Sequence, residues 1–410
     1  MKKFVFFQSE LIMNELYELP DGWEWKTLED VLFDIKTGTT PPKKEKKYYD
    51  YATINWLSPS DFAKHKELNI SKNKINEIAL VEKKAKVYPP DSLLLVAIGA
   101  TIGKVGIIRQ EASSNQQITA MKFINNVVVD FSYYWFVRIK KIIIDTASAA
   151  TLPIINQKGI KSLPFPLPPL QEQKRIVSKL DTLFEKIDKA IALHQKNMDE
   201  ADVFMGSVLN EVFGELEGKY GLVEVGTVTD CLVPQRNKPK QFTGNIPWIT
   251  TDELQLFKRI NKSTKGMGLR REDILEVKSK TIPKDSVLMS CVGDLGIVAI
   301  ADAEIVVNQQ LHTYQCYDVL INDFLMYALY VKRDFMYQIA NITTVAYMNK
   351  SKCNSIPLPL PSLSIQQKTV KYLDQISEKT EKLKSIQKEK MESLKALKAS
   401  LLDRAFRGEL

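Results

Sequence analysis

The chain contains a copy of itself. Residues 164–216, reading PFPLPPLQEQKRIVSKLD through LNEVFGEL, align with residues 357–410, reading PLPLPSLSIQQKTVKYLD through LLDRAFRGEL. The offset is 193: Pro168 answers Pro361, Gln173 answers Gln366, Asp181 answers Asp374 and Phe213 answers Phe406. One inserted residue, Arg407, then brings 214–216 opposite 408–410. The copying extends upstream. Trp56 in INWLSPSD answers Trp248 in IPWITTDE at 192, Asp91-Ser92 answers Asp285-Ser286 at 194, and Asn115-Gln116-Gln117 answers Asn308-Gln309-Gln310 at 193. Such drift marks short loop insertions around a common order of elements. A repeat of this length requires two copies of one structural unit, each a mixed portion followed by one long helix.

In the first copy, residues 27–33 read as a short helix, and strands are expected at 54–57, 93–97, 105–108 and 118–124, with a further helix over 129–144. The Pro-rich joints at 164–169 and 357–361 cannot be helix interior, so each mixed portion stops there. The expected class is mixed α/β of the α+β kind, and 410 residues suit two domains better than one core. No stretch approaches the roughly 18 apolar residues of a membrane span, and the N-terminus lacks the apolar region of a signal peptide. A cytoplasmic chain is expected. Cys231, Cys291, Cys316 and Cys353 are spaced neither as metal ligands nor as a disulfide framework, and read as reduced thiols.

After each joint the apolar period changes to heptads. In the first helix Ile176, Leu180, Leu183, Ile187, Ala190, His194, Met198, Ala201, Met205, Val208 and Val212 form the stripe; in the second, Leu373, Ile376, Thr380, Leu383, Gln387, Lys390, Leu394, Leu397 and Leu401 do. Residues 171–213 hold 6 basic and 8 acidic residues, whereas 366–407 hold 11 and 6. Neither helix can bury its stripe alone, and the opposite charge bias favours pairing with each other. His194, Gln387 and Lys390 read as register-setting polar positions or seam edges.

The net charge of +8 permits a polyanionic partner. Basic residues interleaved with aromatics and turn formers recur early in both copies. The first has Lys43, Lys44, Lys46, Lys47 and Tyr48, then Lys64, Lys66, Lys72 and Lys74, with Lys104 further on. The second has Arg236, Asn237, Lys238 and Lys240, then Lys258, Arg259, Lys262, Lys265, Arg270 and Arg271. Lysines at such density contact phosphates without reading sequence, whereas arginine, asparagine and glutamine can pair with base edges. These residues are the candidate DNA-binding set.

Catalytic motifs fail. Pro20-Asp21-Gly22-Trp23-Glu24-Trp25-Lys26 has the letters of a nuclease metal site, but two residues between Asp21 and Glu24 leave no room for the turn between two strands. Gly99 to Val105 resembles a phosphate loop with its first glycine misplaced and no hydroxyl for magnesium, and its second copy lacks the lysine. A methyltransferase's glycine-rich cofactor loop and its segment for holding a flipped base are missing, and the three histidines, His65, His194 and His312, are widely spaced. The expectation is a chain without catalytic or metal site that holds and recognises.

The residues resemble the specificity subunits of Type I restriction-modification systems. The resemblance rests on Leu19-Pro20-Asp21-Gly22-Trp23, Gly38-Thr39-Thr40-Pro41, the strand at 54–57 with its echo at 246–249, Gly103-Lys104-Val105-Gly106, and above all Pro168-Pro169-Leu170-Gln171-Glu172-Gln173-Lys174-Arg175-Ile176-Val177 with its second copy. It covers the chain from Leu19 onward. It implies two target-recognition domains in inverted orientation, at residues 1–165 and 217–356, held by an antiparallel coiled coil of two conserved helices at 166–216 and 357–410, with internal pseudo-two-fold symmetry. It also implies that each domain reads one half of a bipartite double-stranded DNA target. Two methyltransferase subunits carrying S-adenosylmethionine and ATP- and magnesium-dependent restriction subunits would be the partners, with no cofactor on this chain. The second opening, Ser364-Ile365-Gln366-Gln367, lacks a counterpart of Glu172. Residues before Leu16 depart from the pattern and Met13 is an alternative start, so removing residues 1–12 is expected to leave DNA recognition intact. Two rival classes remain: a coiled-coil protein that binds DNA irrespective of sequence, and a self-sufficient enzyme with an unrecognised site.

Overall fold

A computed structural model describes residues 17–62, 66–147, 152–234, 239–342 and 344–410. The chain divides into two compact units, one made of residues 1–193 and 390–410, the other of residues 194–389. Each unit contains a mixed α+β portion and parts of both long helices, Leu170–Lys219 and Leu363–Phe406.

In the first unit, a four-stranded sheet runs in the order Leu32–Thr37, Ile118–Phe123, Ser92–Val96, Val105–Ile108, all antiparallel. A three-stranded sheet of Asn73–Ile75, Ile54–Leu57 and Ala112–Ser114 accompanies it. The second unit repeats both: a sheet of Thr229–Leu232, Leu311–Cys316, Val287–Ser290, Val298–Ala301 and Lys258–Ile260, and a small one of Gly268–Leu269, Ile246–Ile249 and Val306–Val307. Even the register is copied, Leu93 facing Met121 as Val287 faces Tyr314.

The helix expected over 27–33 is shorter, Leu28–Val31, because the alternating run from Leu32 continues as an edge strand. The helix expected over 129–144 is two, Val129–Arg138 and Lys140–Thr146, broken at Ile139. The Pro-rich joints are themselves strands. Pro164–Leu167 pairs antiparallel with Glu24–Thr27, and Pro357–Pro359 with Leu222–Glu224, so each portion's end is bonded to its beginning. Two-stranded pairing leaves one edge free of ladder partners, where proline's missing N–H is tolerated.

Helix packing completes each core. In the first unit, Phe131, Trp135 and Phe136 lie with Leu93, Leu95 and Met121, and the central helix adds Ile176, Leu180, Phe184 and Ile187. The C-terminal helix brings Leu402, Ala405 and Phe406 to the same core, and the Phe406 ring sits 5.0 Å from Phe131. In the second unit the helices exchange parts: Phe213 of the central helix sits 5.2 Å from Phe324, and Leu373 comes from the C-terminal helix.

Within the second unit the helices run antiparallel. His194 Nδ1 meets Gln387 Oε1 at 2.5 Å, and Lys384 Nζ reaches Asp202 at 2.8 Å, so advance along one helix is retreat along the other. In the first unit Lys398 reaches Asp188 at 2.6 Å. The charge bias thus acts through lysines of the second helix and aspartates of the first. His194 and Gln387 satisfy one another on the seam, as register-setting positions can.

The stripe of the central helix lies as expected, with Ile176, Leu180 and Ile187 buried and Leu183 partly so. The C-terminal stripe needs correction. Leu373, Leu394 and Leu401 lie inward and Ile376 is half-buried, but Leu383 and Leu397 are 42% and 46% exposed. The shielded positions are 373, 377, 380, 384, 387, 391, 394 and 398, so alternate steps fall one residue later than the leucines. Two of those positions are Lys384 and Lys398, whose stems lie across the seam while their ammonium groups reach acidic partners. A pattern built from leucines does not find them. Lys390, expected on the stripe, is exposed.

Candidate nucleic-acid interface

Before any surface can meet DNA, its domain must be fixed to its helix, and the repeated glutamine does this. Gln173 is fully buried. Its amide donates to Asn126 O at 2.9 Å and Pro168 O at 3.0 Å, while its Oε1 accepts from Val128 N at 2.8 Å. Gln366 does the same with Val319 O, Pro361 O and Ile321 N, each at 2.9 Å. A tyrosine adds a second tie: Tyr134 donates to Asp181, and Tyr327 to Asp374 at 2.8 Å. Burial raises both phenols' pKa values, and the accepting carboxylates add to it.

A cation beside this junction has moved between the copies. In the first unit Glu67 bridges to Ile107, and Arg109 holds Glu67, Asp91 and Asp130 at 2.9, 2.8 and 2.7 Å. In the second unit the position paired with Ile300 is Arg259, which holds Asp285 at 3.2 Å and Asp323 at 2.7 Å, while Asp302 stands where Arg109 stood. Acid and base have changed strands around the same pair of aspartates. Burial pushes the Asp130 carboxyl up, but Lys66 and Arg109 outweigh it and hold it below its ordinary value.

Several residues of the candidate DNA-binding set are engaged within the fold. Lys66 is held by Asp130 at 2.7 Å and Asp181 at 2.9 Å, with its ammonium 4.8 Å from the Tyr134 ring centre. Arg259 is held as described. Tyr48 is 1% exposed, its ring in a small core with Trp56 and Ile75 and its hydroxyl on Glu82, so it supports the surface from beneath. Lys104 is half-buried, within 3.4 Å of Phe62 O. Lys47 is exposed but held by Glu82 at 2.7 Å.

The first unit also has a cleft of about 660 Å³ lined by Lys43, Tyr49, Ala52, Trp56, Ser71, Lys72, Asn73 and Lys74. Lys43, Lys44, Lys46, Lys72 and Lys74 are exposed and have no carboxylate partner among the described residues. The frame is rigid. Asp61 accepts from Ser58 N and Lys72 N, Trp56 Nε1 donates to Thr39 O, and a Cβ on Gly38 would fall 2.2 Å from Asn115 O. Asn115 and Gln117 close the turn beside it, as Asn308 and Gln310 do in the second unit.

The equivalent surface of the second unit is largely neutralised. Glu253, in the place of Asp61, accepts from Thr250 N, Ser263 Oγ and Thr264 Oγ1. Lys265 pairs with Asp252, Lys258 with Glu381 at 3.3 Å, Arg270 with Asp273 at 2.9 Å and Arg271 with Glu304 at 2.7 Å. Lys240 is 3.8 Å from Glu276, and Lys262 is exposed. Lys64, Arg236, Asn237 and Lys238 lie outside the described residues.

A family model for the Type I restriction modification DNA specificity domain matches residues 20–197 and again 218–392, most of the chain and both copies. The chain belongs to that family. Among curated relatives, it is 26% identical over 197 residues to the MjaIX specificity subunit of Methanocaldococcus jannaschii, covering 46% of this chain and 45% of that protein. It is 26% identical over 210 residues to an Escherichia coli Type I restriction enzyme specificity subunit, 48% and 50% of the two. The chain thus spans about half the length of these relatives. To the MjaVIII specificity subunit of M. jannaschii it is 21% identical over 405 residues, 92% and 91%. Two solved structures share the fold. A chain from a study of assembly and conformational transition of the type I R-M system has a TM-score of 0.78 at 21% identity, covering 96% of this chain and all of that one. The HsdS subunit from Thermoanaerobacter tengcongensis has 0.53 at 20%, covering 97% and all.

Within each specificity domain, the sequence leaves the surroundings of single basic residues open. Density of lysine does not say which ammonium groups a neighbouring carboxylate will occupy. The anchoring residues were missed as such, although their 193-residue spacing was a usable signal: Tyr134 and Tyr327, Asp130 and Asp323 recur with the glutamines. No helix among the described residues is long and apolar enough to cross a membrane.

Proposed function

We propose that this chain is the sequence-specific DNA-binding subunit of a Type I restriction-modification complex. Each specificity domain, at residues 1–165 and 217–356, reads one half of a bipartite double-stranded target, and the helices set the unread gap. The observation that carries this reading is the contrast between a copied scaffold and uncopied surfaces: identical glutamine anchors hold two faces with different side chains, as two readers of different half-sites require. Lysines around the first cleft, without a carboxylate partner among the described residues, supply phosphate contacts. Two methyltransferase subunits bring S-adenosylmethionine for adenine methylation, restriction subunits bring ATP and magnesium chemistry, and this chain contributes recognition without catalysis.

The test exchanges residues 1–165 for the corresponding domain of another specificity subunit. DNA is then sequenced for methylation from cells carrying the chimera and the methyltransferase. One half-site should change while the other stays. A change in both or in neither overturns the reading, and a footprint without two separated tracts would favour a DNA-binding coiled-coil protein indifferent to sequence.

A further inference from the structure

Tyr51 is the most exposed large hydrophobic side chain among the described residues of the first unit, 100% accessible, and its backbone lies at φ +54°, a region that side chains of its size rarely adopt. Nothing in the fold explains a tyrosine there. The ring packs on none of the described residues, and the left-handed backbone would suit glycine or asparagine better.

The turn that presents it is nonetheless firmly made. Tyr49 N and Asp50 N both donate to Lys46 O, at 2.8 and 3.0 Å. The Asn76 side-chain amide donates to Lys47 O at 2.7 Å and to Asp50 O at 2.9 Å, and the Tyr49 hydroxyl donates to Pro41 O at 2.7 Å. Tyr48, earlier in the same turn, is buried in the core. A rigid mount holding an unpacked ring in a strained conformation is the pattern of a residue kept for what it touches in a partner.

Its surroundings name that partner's chemistry. Tyr49 and Ala52, on either side of it in sequence, line the cleft together with Lys43, Lys72, Lys74 and Trp56. Ammonium groups without a carboxylate partner among the described residues favour a polyanion, and an aromatic face beside them meets bases when the lysines meet phosphates. We propose that Tyr51 makes a direct ring contact with a base of the half-site read by the first specificity domain. It is a specificity-determining residue of that domain alone, since Thr243 stands at the same distance before Trp248 in the second. This rests on the function proposed above.

The experiment uses the full chain assembled with its methyltransferase partner. It compares Tyr51→Asn, which tolerates the backbone and removes the ring, with Tyr51→Phe, which keeps the ring. Binding is measured to DNA carrying the mapped target and to DNA lacking it, with 2-aminopurine placed in each half-site in turn. Tyr51→Asn should bind the target roughly ten-fold or more weakly, the scale of a base–aromatic contact, with its affinity for unrelated DNA unchanged because lysines carry that term. Its 2-aminopurine signal should differ from wild type in one half-site only, Tyr51→Phe should retain target binding, and the melting temperature of Tyr51→Asn should not fall. Target affinity unchanged in Tyr51→Asn, or affinity for target and unrelated DNA reduced equally, overturns the proposal. Wild-type complex that binds all sequences alike overturns the specificity reading itself, and the base contact with it.

Discussion

The first and second specificity domains differ where they face solvent and agree where they meet their helices. Around the first cleft Lys43, Lys72 and Lys74 have no carboxylate partner among the described residues, whereas Lys265, Arg270 and Arg271 in the second are each held by one. At the junction, Gln173 and Gln366 make the same three hydrogen bonds, and even the arginine that changed strands, Arg109 to Arg259, still holds equivalent aspartates. A buried polar group must keep its partners or lose about 1–3 kcal/mol for each left unpaired, so the junction tolerates only compensated change. Exposed cations carry no such penalty. Side-chain changes on the two exposed faces therefore cost the fold less than changes at the junction.

The largest effect should come from breaking the shared part. Gln173→Leu leaves Val128 N and two carbonyls without their partner, and Gln366→Leu does the same to Ile321 N. Each should destabilise its own unit by about 3 kcal/mol or more, measured by denaturant unfolding with a probe in each unit. Markedly unequal losses would show that the two anchors are not equivalent.

A comparable effect should appear in one domain only. His312, 3% exposed on a core strand, has its pKa pushed down to about 4 by burial and then by nearby Lys350, and the position 193 residues earlier is Thr119. The unfolded chain takes this proton near pH 6.5 and the fold only near 4, so between those values the unfolded state binds more protons. Stability of the second unit should be complete above pH 6.5 and fall by about 3 kcal/mol as the pH drops towards 4. Urea unfolding from pH 7 to 4 checks this, and His312→Thr should abolish that part of the slope. A first unit with the same pH dependence would sink the assignment.

The smallest effect concerns the surfaces. Replacing Lys43, Lys72 and Lys74 together by alanine should weaken DNA binding and reduce the slope of log affinity against log salt by about 3, one for each phosphate no longer neutralised. A Lys265, Arg270 and Arg271 triple in the second domain should change the slope by less than about 1, because those charges are already paired within the fold. Equal slopes would erase the distinction between the two faces.

The repeat was legible because duplicated anchors must keep both identity and spacing. Gln173 with Gln366 and Phe213 with Phe406 stand out without any structure. The first heptad stripe was equally legible, since each of its marked residues is at least partly shielded. The second misled: Leu383 and Leu397 looked like seam residues and are solvent-facing, while Lys384 and Lys398 lie across the seam. Hydropathy ranks lysine as polar and does not credit the burial of its stem or the aspartate that receives its charge.

The candidate interface divides in the same way. That cations gather early in each copy is written in the chain, but which of them is available is not. Lys66 and Lys72 are indistinguishable as letters, and one is enclosed by Asp130, Asp181 and Tyr134 while the other stands over an open cleft. By itself the sequence determined that there are two like units and that each carries a long helix, because those facts rest on local periodicity and a repeated spacing. The tertiary structure alone decided which charges pair, which rings are buried and which, like that of Tyr51, are left bare, because pairing and burial depend on neighbours distant along the chain.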